Sequence, residues 1–247
     1  MAITLRSYGV SPGADSTTCV IVKPSGLTVG DLMVAQVITR ALYTAITDPA
    51  DWTEIRQEID GSSAEIRQGL FWKIAGSGDV AASDFTFTCA TGENKGAITA
   101  WTGHDSGTPI NAHNGAGIFN TAIVVSGITP SVADCVLCFF CGICDLDTVS
   151  GYAIATDNPA SWDEEYELPY EAYANITMAY ASRPETSATG NATATCAGYE
   201  RIVGQIIAIA PEGWTLISHD KGVAAAAMSH KKGIAVASIS HVKGVAV

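Results

Sequence analysis

This chain repeats itself, and a repeat restricts the fold severely, because the unit formed by one copy must be formed again by the next. Gly30-Asp31-Leu32-Met33-Val34-Ala35-Gln36-Val37 is matched by Ala133-Asp134-Cys135-Val136-Leu137-Cys138-Phe139-Phe140. Asp48-Pro49-Ala50-Asp51-Trp52 is matched by Asn158-Pro159-Ala160-Ser161-Trp162. Gly69 to Ala75 lines up with Asn175 to Ala181, Phe85 to Cys89 with Ala192 to Cys196, and Ala97 to Trp101 with Gln205 to Ile209. The offsets run near 103–110 and place the copies at about 29–106 and 132–211 of the 247 residues.

Each copy reads as four strands: a buried apolar run, a loop marked by Pro and Trp, two alternating strands and a closing apolar run. Thr86 and Thr88, like Thr193 and Thr195, show the period of two that a half-buried strand requires. Thr17 to Val22 predicts a further edge strand. Charged residues make up only 15% of the chain, a balance that suits many short strands better than surface helices. The expected fold is therefore all-β: a duplicated β-sandwich or jelly-roll-like body over 1–212. A short repeated β-hairpin element follows it over 213–247.

That element carries a second, tighter repeat. Ser218-His219-Asp220-Lys221-Gly222-Val223-Ala224 returns as Ser229-His230-Lys231-Lys232-Gly233-Ile234-Ala235 and as Ser240-His241-Val242-Lys243-Gly244-Val245-Ala246. The period is eleven, and each unit joins a polar His-x-Lys-Gly turn to a seven-residue apolar piece. Gly222, Gly233 and Gly244 sit where a bulged type I turn needs a positive φ. The apolar pieces then span about 23 Å as strands. An eleven-residue period also fits a right-handed helical supercoil, but a glycine in every unit costs about 1 kcal/mol each in a helix interior. The β-branched residues of the repeats favour strand as well. Such strands are apolar on both faces and need something to pack against. The tail holds four lysines and one aspartate, a net +3 that leaves −15 on the first 212 residues of a chain whose total is −12. A basic apolar tail is thus expected to dock on an acidic surface, although turn lysines also serve simply to keep strands soluble.

The pattern Gly-Asp-Leu before apolar residues, then Pro-x-x-Trp-Thr, Phe-Trp-Lys-Ile-Ala and Ile-Thr-Ala-Trp-Thr-Gly resembles a broad group of bacteriophage and prophage virion proteins. These are β-sandwich proteins of the capsid-decoration or tail-associated type, and the resemblance covers residues 27–211. It implies a structural role in a virion. The repeated tail is not part of that pattern.

Several residue groups are candidates for chemistry. Cys135, Cys138, Cys141 and Cys144 have a spacing that can serve zinc or an iron–sulfur cluster. On a strand, however, steps of three put Cys135 and Cys141 on one face and Cys138 and Cys144 on the other, so the four cannot converge. Cys89 and Cys196 occupy matching places, which in an oxidising particle admits a bridge between them. Gly103-His104-Asp105-Ser106-Gly107 reads as a turn, since neighbouring residues cannot form a Ser-His-Asp relay. Asp163, Glu164, Glu165 and Glu167 are a solvated loop or, less simply, calcium ligands or a glycosidase pair. The three tail histidines read as exposed turn residues, with a shared ion on a three-fold axis as the alternative. No cofactor or metal is expected.

The sequence therefore predicts a non-enzymatic virion structural protein, a capsid decoration (cement) protein that self-associates as a homotrimer and binds partners such as the major capsid protein. Met228, Ile234, Val236, Ile239 and Val245 are the expected apolar contacts, with Lys221, Lys231, Lys232 and Lys243 steering the tail. The alternative is a tail-associated carbohydrate- or receptor-binding appendage using candidate ligand loops around Trp52 and Trp162. The net charge argues against direct nucleic-acid binding, and no uninterrupted apolar segment is long enough to span a membrane. Met1 to Arg6 lacks the marks of a secretory leader, so synthesis in a host cytoplasm and residence in the virion are expected.

Overall fold

The computed structural model describes residues 2–40, 44–60, 65–156, 158–159, 161–170 and 174–213. They belong to one compact unit. The tail contacts expected from sequence, from Lys221 to Val245, lie outside the described residues. The strands are β1 (Thr4–Val10), β2 (Ala14–Val22), β3 (Leu32–Thr39), β4 (Thr53–Ile59), β5 (Arg67–Ile74), β6 (Asp84–Thr102), β7 (Ile110–Val125), β8 (Cys135–Ile143), β9 (Val149–Ile154), β10 (Asp163–Tyr170), β11 (Ala174–Arg183) and β12 (Ala192–Ile209). One short helix, α1 (Ser77–Ala81), lies between β5 and β6.

The described residues form two antiparallel six-stranded sheets with one topology. The first runs β1-β6-β3-β5-β4 with β2 also on β6, and the second runs β7-β12-β8-β11-β10 with β9 also on β12. β7 spans β12 from Ile110 opposite Ile209 to Val125 opposite Ala192. In the first sheet that long edge is split, with β1 on the C-terminal part of β6 and β2 on its N-terminal part.

The length of β6 and β12 explains the layering. At about 3.3 Å per residue each is far longer than a usual strand, and each folds over its own sheet. Phe85, Phe87 and Cys89 of β6 share a core with Met33, Ala35 and Val37 of β3. Ala192, Ala194 and Cys196 of β12 likewise share one with Leu137, Phe139 and Cys141 of β8. A glycine makes room just beyond each crease. A Cβ on Gly96 would lie 2.7 Å from Ile21 Cδ1, and one on Gly204 would lie 2.8 Å from Ile123 Cγ1, so neither site accepts a side chain.

The opposite faces of the two sheets meet in a third core. Leu32, Val34, Ile38, Leu70 and Trp101 from the first sheet pack with Cys138, Phe140, Met178 and Ile207 from the second. Both faces of each sheet are thus buried. This accounts for the unbroken apolar runs of β3 and β8, since alternation appears only where one face is wet.

The two copies align differently from their sequence match. Gly96 pairs with Val37 and Gly69 lies on the other side of Val37, whereas Gly204 pairs with Cys141, which is flanked by Thr177. β3 and β8 therefore correspond one residue away from the sequence alignment, and β5 and β11 two residues away. The residue that enters β3 with positive φ is Gly30 (φ 93), and the one that enters β8 is Asp134 (φ 58). These are the true equivalents. Matching Asp31 to Asp134 is an error of one residue, and that much reverses every side chain on a strand.

Within the third core lies a polar chain. Tyr166 Oη donates to Gln36 Oε1 (2.7 Å), Gln36 Nε2 donates to Gln68 Oε1 (2.8 Å) and to the Cys141 carbonyl (2.9 Å), and Gln68 Nε2 donates to Gln205 Oε1 (3.0 Å). Gln205 Nε2 returns to the Gln68 carbonyl at 3.3 Å. All three glutamines are completely buried. Replacing Gln68 by Met leaves buried amide atoms unpaired and is expected to cost about 1–3 kcal/mol. Substituting Gln36, Gln68 and Gln205 by Met together with Tyr166→Phe should cost less than the sum of the single changes, as measured by urea unfolding.

Candidate functional site

The candidate tryptophans occupy equivalent places just before the edge strands β4 and β10. Trp52 is 7% exposed and packs edge-on against Phe85 (5.6 Å) and Phe87 (5.3 Å). Trp162 is half-buried against the core of the second copy, 6.3 Å from Phe139. Both behave as plugs at the open end of a core, and Trp52 presents no free ring face for a sugar to stack on.

The cysteines are distributed between faces as a strand requires. Cys135 and Cys141 point into the core of the second copy, and Cys138 and Cys144 toward the core between the sheets. Cys89 and Cys196 lie in different cores, so a bridge between them does not form, and all seven thiols are free. Burial pushes the thiols of Cys19, Cys89 and Cys144 up to about 12 and that of Cys135 to about 11. Cys138 and Cys141, wholly enclosed, are raised further. Thiols held in the protonated form are poor nucleophiles and poor ligands.

The turn after β6 is built by Asp105, whose Oδ1 accepts from the Gly107 and Thr108 amides, each at 2.8 Å. His104 is buried with its ring nitrogens 3.0 Å from the Asp105 and Gly30 carbonyls. It joins the end of the first copy to the turn before β3 and faces no nucleophile. Glu167 is structural too: its Oε1 accepts from the Val149 amide (2.9 Å) and Asn175 Nδ2 (3.0 Å), tying β9, β10 and β11 together. Among the described residues, no group of three or more His, Cys, Asp or Glu side chains is placed to hold a metal. No helix among them is long and apolar enough to cross a membrane.

The surface feature that sequence reasoning missed sits on the crease of β12. The pairing of β12 with β7 breaks between Thr195 and Glu200, and such a bulge re-aims side chains. Tyr199 is 58% exposed and Phe119 of β7 47%, and their rings meet edge-on with centroids 4.5 Å apart. The Arg201 guanidinium lies 4.9 Å from the Phe119 ring centre and is anchored on the first copy by Asp60 (3.1 Å) and Glu65 (2.6 Å). Glu200 stands beside them with a carboxyl raised by burial and then by Asp145 and Asp147. Two exposed rings with a fixed cation and neighbouring carboxylates offer planar contact and directed hydrogen bonds but no activated nucleophile. The only sequence signal was the pair of isolated aromatics, which alternation alone cannot tell from core residues.

Comparison with protein-family models, with curated proteins and with solved structures finds no match.

Two tests follow from these sites. At pH 8 the native protein should react with a thiol reagent far more slowly than the unfolded chain, which exposes all seven cysteines, and EDTA should leave the melting temperature unchanged. The folded Glu200 carboxyl keeps its proton to higher pH than the unfolded one, so its contribution to stability falls as pH rises through that interval. Glu200→Gln should therefore raise the melting temperature slightly at pH 7, and the gain should vanish near pH 4, as read by calorimetry.

Proposed function

We propose that this chain is a structural protein of a bacteriophage or prophage virion. In this reading it is a capsid decoration protein, made in the host cytoplasm, that attaches to the particle and self-associates as a trimer through residues 213–247. What supports the reading most is a contrast within the chain. The body closes three cores with its own strands. The eleven-residue repeats that follow it have runs of consecutive apolar residues between their polar pieces, a composition that gains stability by packing against another surface. Apolar contact at about 25 cal/mol per Å², repeated over symmetric copies, turns weak contacts into avidity. The lysines of the repeats fit an acidic partner. Neither the tryptophans nor the cysteines are arranged for catalysis, and the body serves as a rigid carrier.

A second reading, a glycan- or receptor-binding appendage, is favoured by Phe119 and Tyr199 rather than by Trp52 and Trp162, because only the former pair is substantially exposed.

Removing residues 213–247 separates the two readings. The truncated protein should keep its β circular-dichroism spectrum and run as a monomer by light scattering. It should also fail to co-sediment with particles that bind the intact chain. Undiminished oligomerisation and particle binding by the truncated protein would overturn the assembly role of the tail.

A further inference from the structure

The two copies share a plan, so a departure that meets no internal need points to a partner outside. One departure stays internal. The edge of the first copy breaks across Ser11-Pro12-Gly13, and Asn94, in the wall of the adjoining cavity, is wholly buried and donates to the Ser16 carbonyl. The other departure, at the crease of β12, faces outward. Seven positions separate Cys89 from Gly96, whereas eight separate Cys196 from Gly204. The added residue falls between Cys196 and Ile202, for Ile202 pairs with Ile143 as Asn94 pairs with Thr39. That span is the bulge that projects Tyr199. Beside it, the first copy sets Asp15 opposite Glu93, and the second sets Phe119 opposite Arg201.

The result is a patch both apolar and acidic. Phe119 and Tyr199 pack on each other at the surface and belong to no core. Leu146, 44% exposed, lies in the loop that flanks them. That loop is fixed to the crease, since the Ala197 amide donates to the Thr148 carbonyl (3.0 Å) and Asp147 fills the space that a Cβ on Gly198 would take. Among the described residues gathered here, the carboxylates of Asp60, Glu65, Asp145, Asp147 and Glu200 outnumber the guanidinium groups of Arg40 and Arg201. Arg201 is already committed to Asp60 and Glu65. An exposed apolar patch in an acidic surround selects a partner that is apolar and basic.

We infer that the Phe119–Tyr199 patch is the docking surface for residues 214–247 of a neighbouring copy of this chain. The inference rests on the reading that this segment mediates self-association, and it supplies the surface that the segment engages. The segment has the complementary character: a net charge of +3, with a lysine just before each apolar run. A lysine of one repeat can sit over an aromatic ring and beside Glu200 or Asp147, while the apolar run that follows covers the rings and Leu146. The opposed charges steer the encounter, and the buried rings hold it. Thirty-four residues follow Gly213. Extended, they span at most about 110–120 Å, which is ample for reaching another copy. Near-identical repeats offer the same patch several equivalent partners, which raises avidity. A patch covered by its own chain would leave nothing to join copies.

The test uses full-length chains and light scattering. The patch variant, Phe119→Ser with Tyr199→Ser, should keep nearly the melting temperature of the intact chain and self-associate about tenfold or more weakly. The tail variant combines Ile234→Ser, Val236→Ser and Ile239→Ser with Lys221→Glu, Lys231→Glu, Lys232→Glu and Lys243→Glu, and should lose self-association likewise. Mixed in equal amounts, the two should associate again, because each keeps the part that the other lacks. If the patch variant associates like the intact chain while the tail variant does not, the inference is overturned and the role of the tail stands. If the intact chain is a monomer, or the tail variant associates undiminished, the assembly reading fails and the inference falls with it. A mixture of folded variants that stays dissociated also overturns it, since docking within one chain gives that result. Should the serine variant misfold, Asp147→Lys with Glu200→Lys takes its place, with the same losses and the same recovery expected.

Discussion

The body depends on the seam between its two sheets, and the seam depends on a few amide groups. An apolar interface between two sheets of similar shape is non-directional, and sliding one sheet by two residues would preserve most of its contacts. The chain Tyr166–Gln36–Gln68–Gln205 removes that freedom. Each of the three glutamines uses both its carbonyl and its amino group, and only one relative placement of the sheets satisfies them all. Inside a core the penalty for an unpaired amide is high, so the network converts a greasy contact into a unique one. The Arg201 pairs with Asp60 and Glu65 act at the rim of the same seam.

Around the seam, duplication supplies the plan and its local failures supply the candidate sites. Both long central strands carry a glycine just beyond the crease, both outer cores are plugged by a tryptophan before an edge strand, and both copies lay the same strand order across the sheet. Against that background two differences stand out. The first copy breaks its edge and buries Asn94 in the wall of a cavity. The second keeps its edge whole but bulges at the crease, projecting Tyr199 beside Phe119. A scaffold buried on both faces of both sheets can tolerate such changes only at its edges and creases, where no ladder of hydrogen bonds is lost.

Much of this was legible beforehand. The period-two threonines, the matched tryptophans and the alternate facing of Cys135 and Cys138 all follow from strand geometry, which side-chain order records directly. The inter-copy register was not legible. A glycine and an aspartate both tolerate the left-handed conformation that opens β3 and β8, and the eye matched Asp31 to Asp134 instead of Gly30. Gln36 and Gln205 stood in plain view within apolar runs, but, apart from Gln68 for Gln36, their partners lie more than a hundred residues away. No local pattern announces such a network. Phe119 and Tyr199 look like core residues until the bulge that ejects them is known.

By itself the sequence determined the class of structure and the reuse of one unit. Alternation, turn residues and internal similarity are properties of neighbours along the chain, and the sheet reads them locally. Only the tertiary structure decided how the two units face each other, which amides meet across the seam, and where the symmetry fails. Those outcomes rest on contacts between residues far apart in sequence, and their energies exist only once the sheets have come together. The same division holds for function: the proposed virion role rests on a resemblance between sequence motifs and on the apolar repeats of the tail, whereas the exposure of Phe119 and Tyr199 could be seen only when the bulge of β12 had set them at the surface.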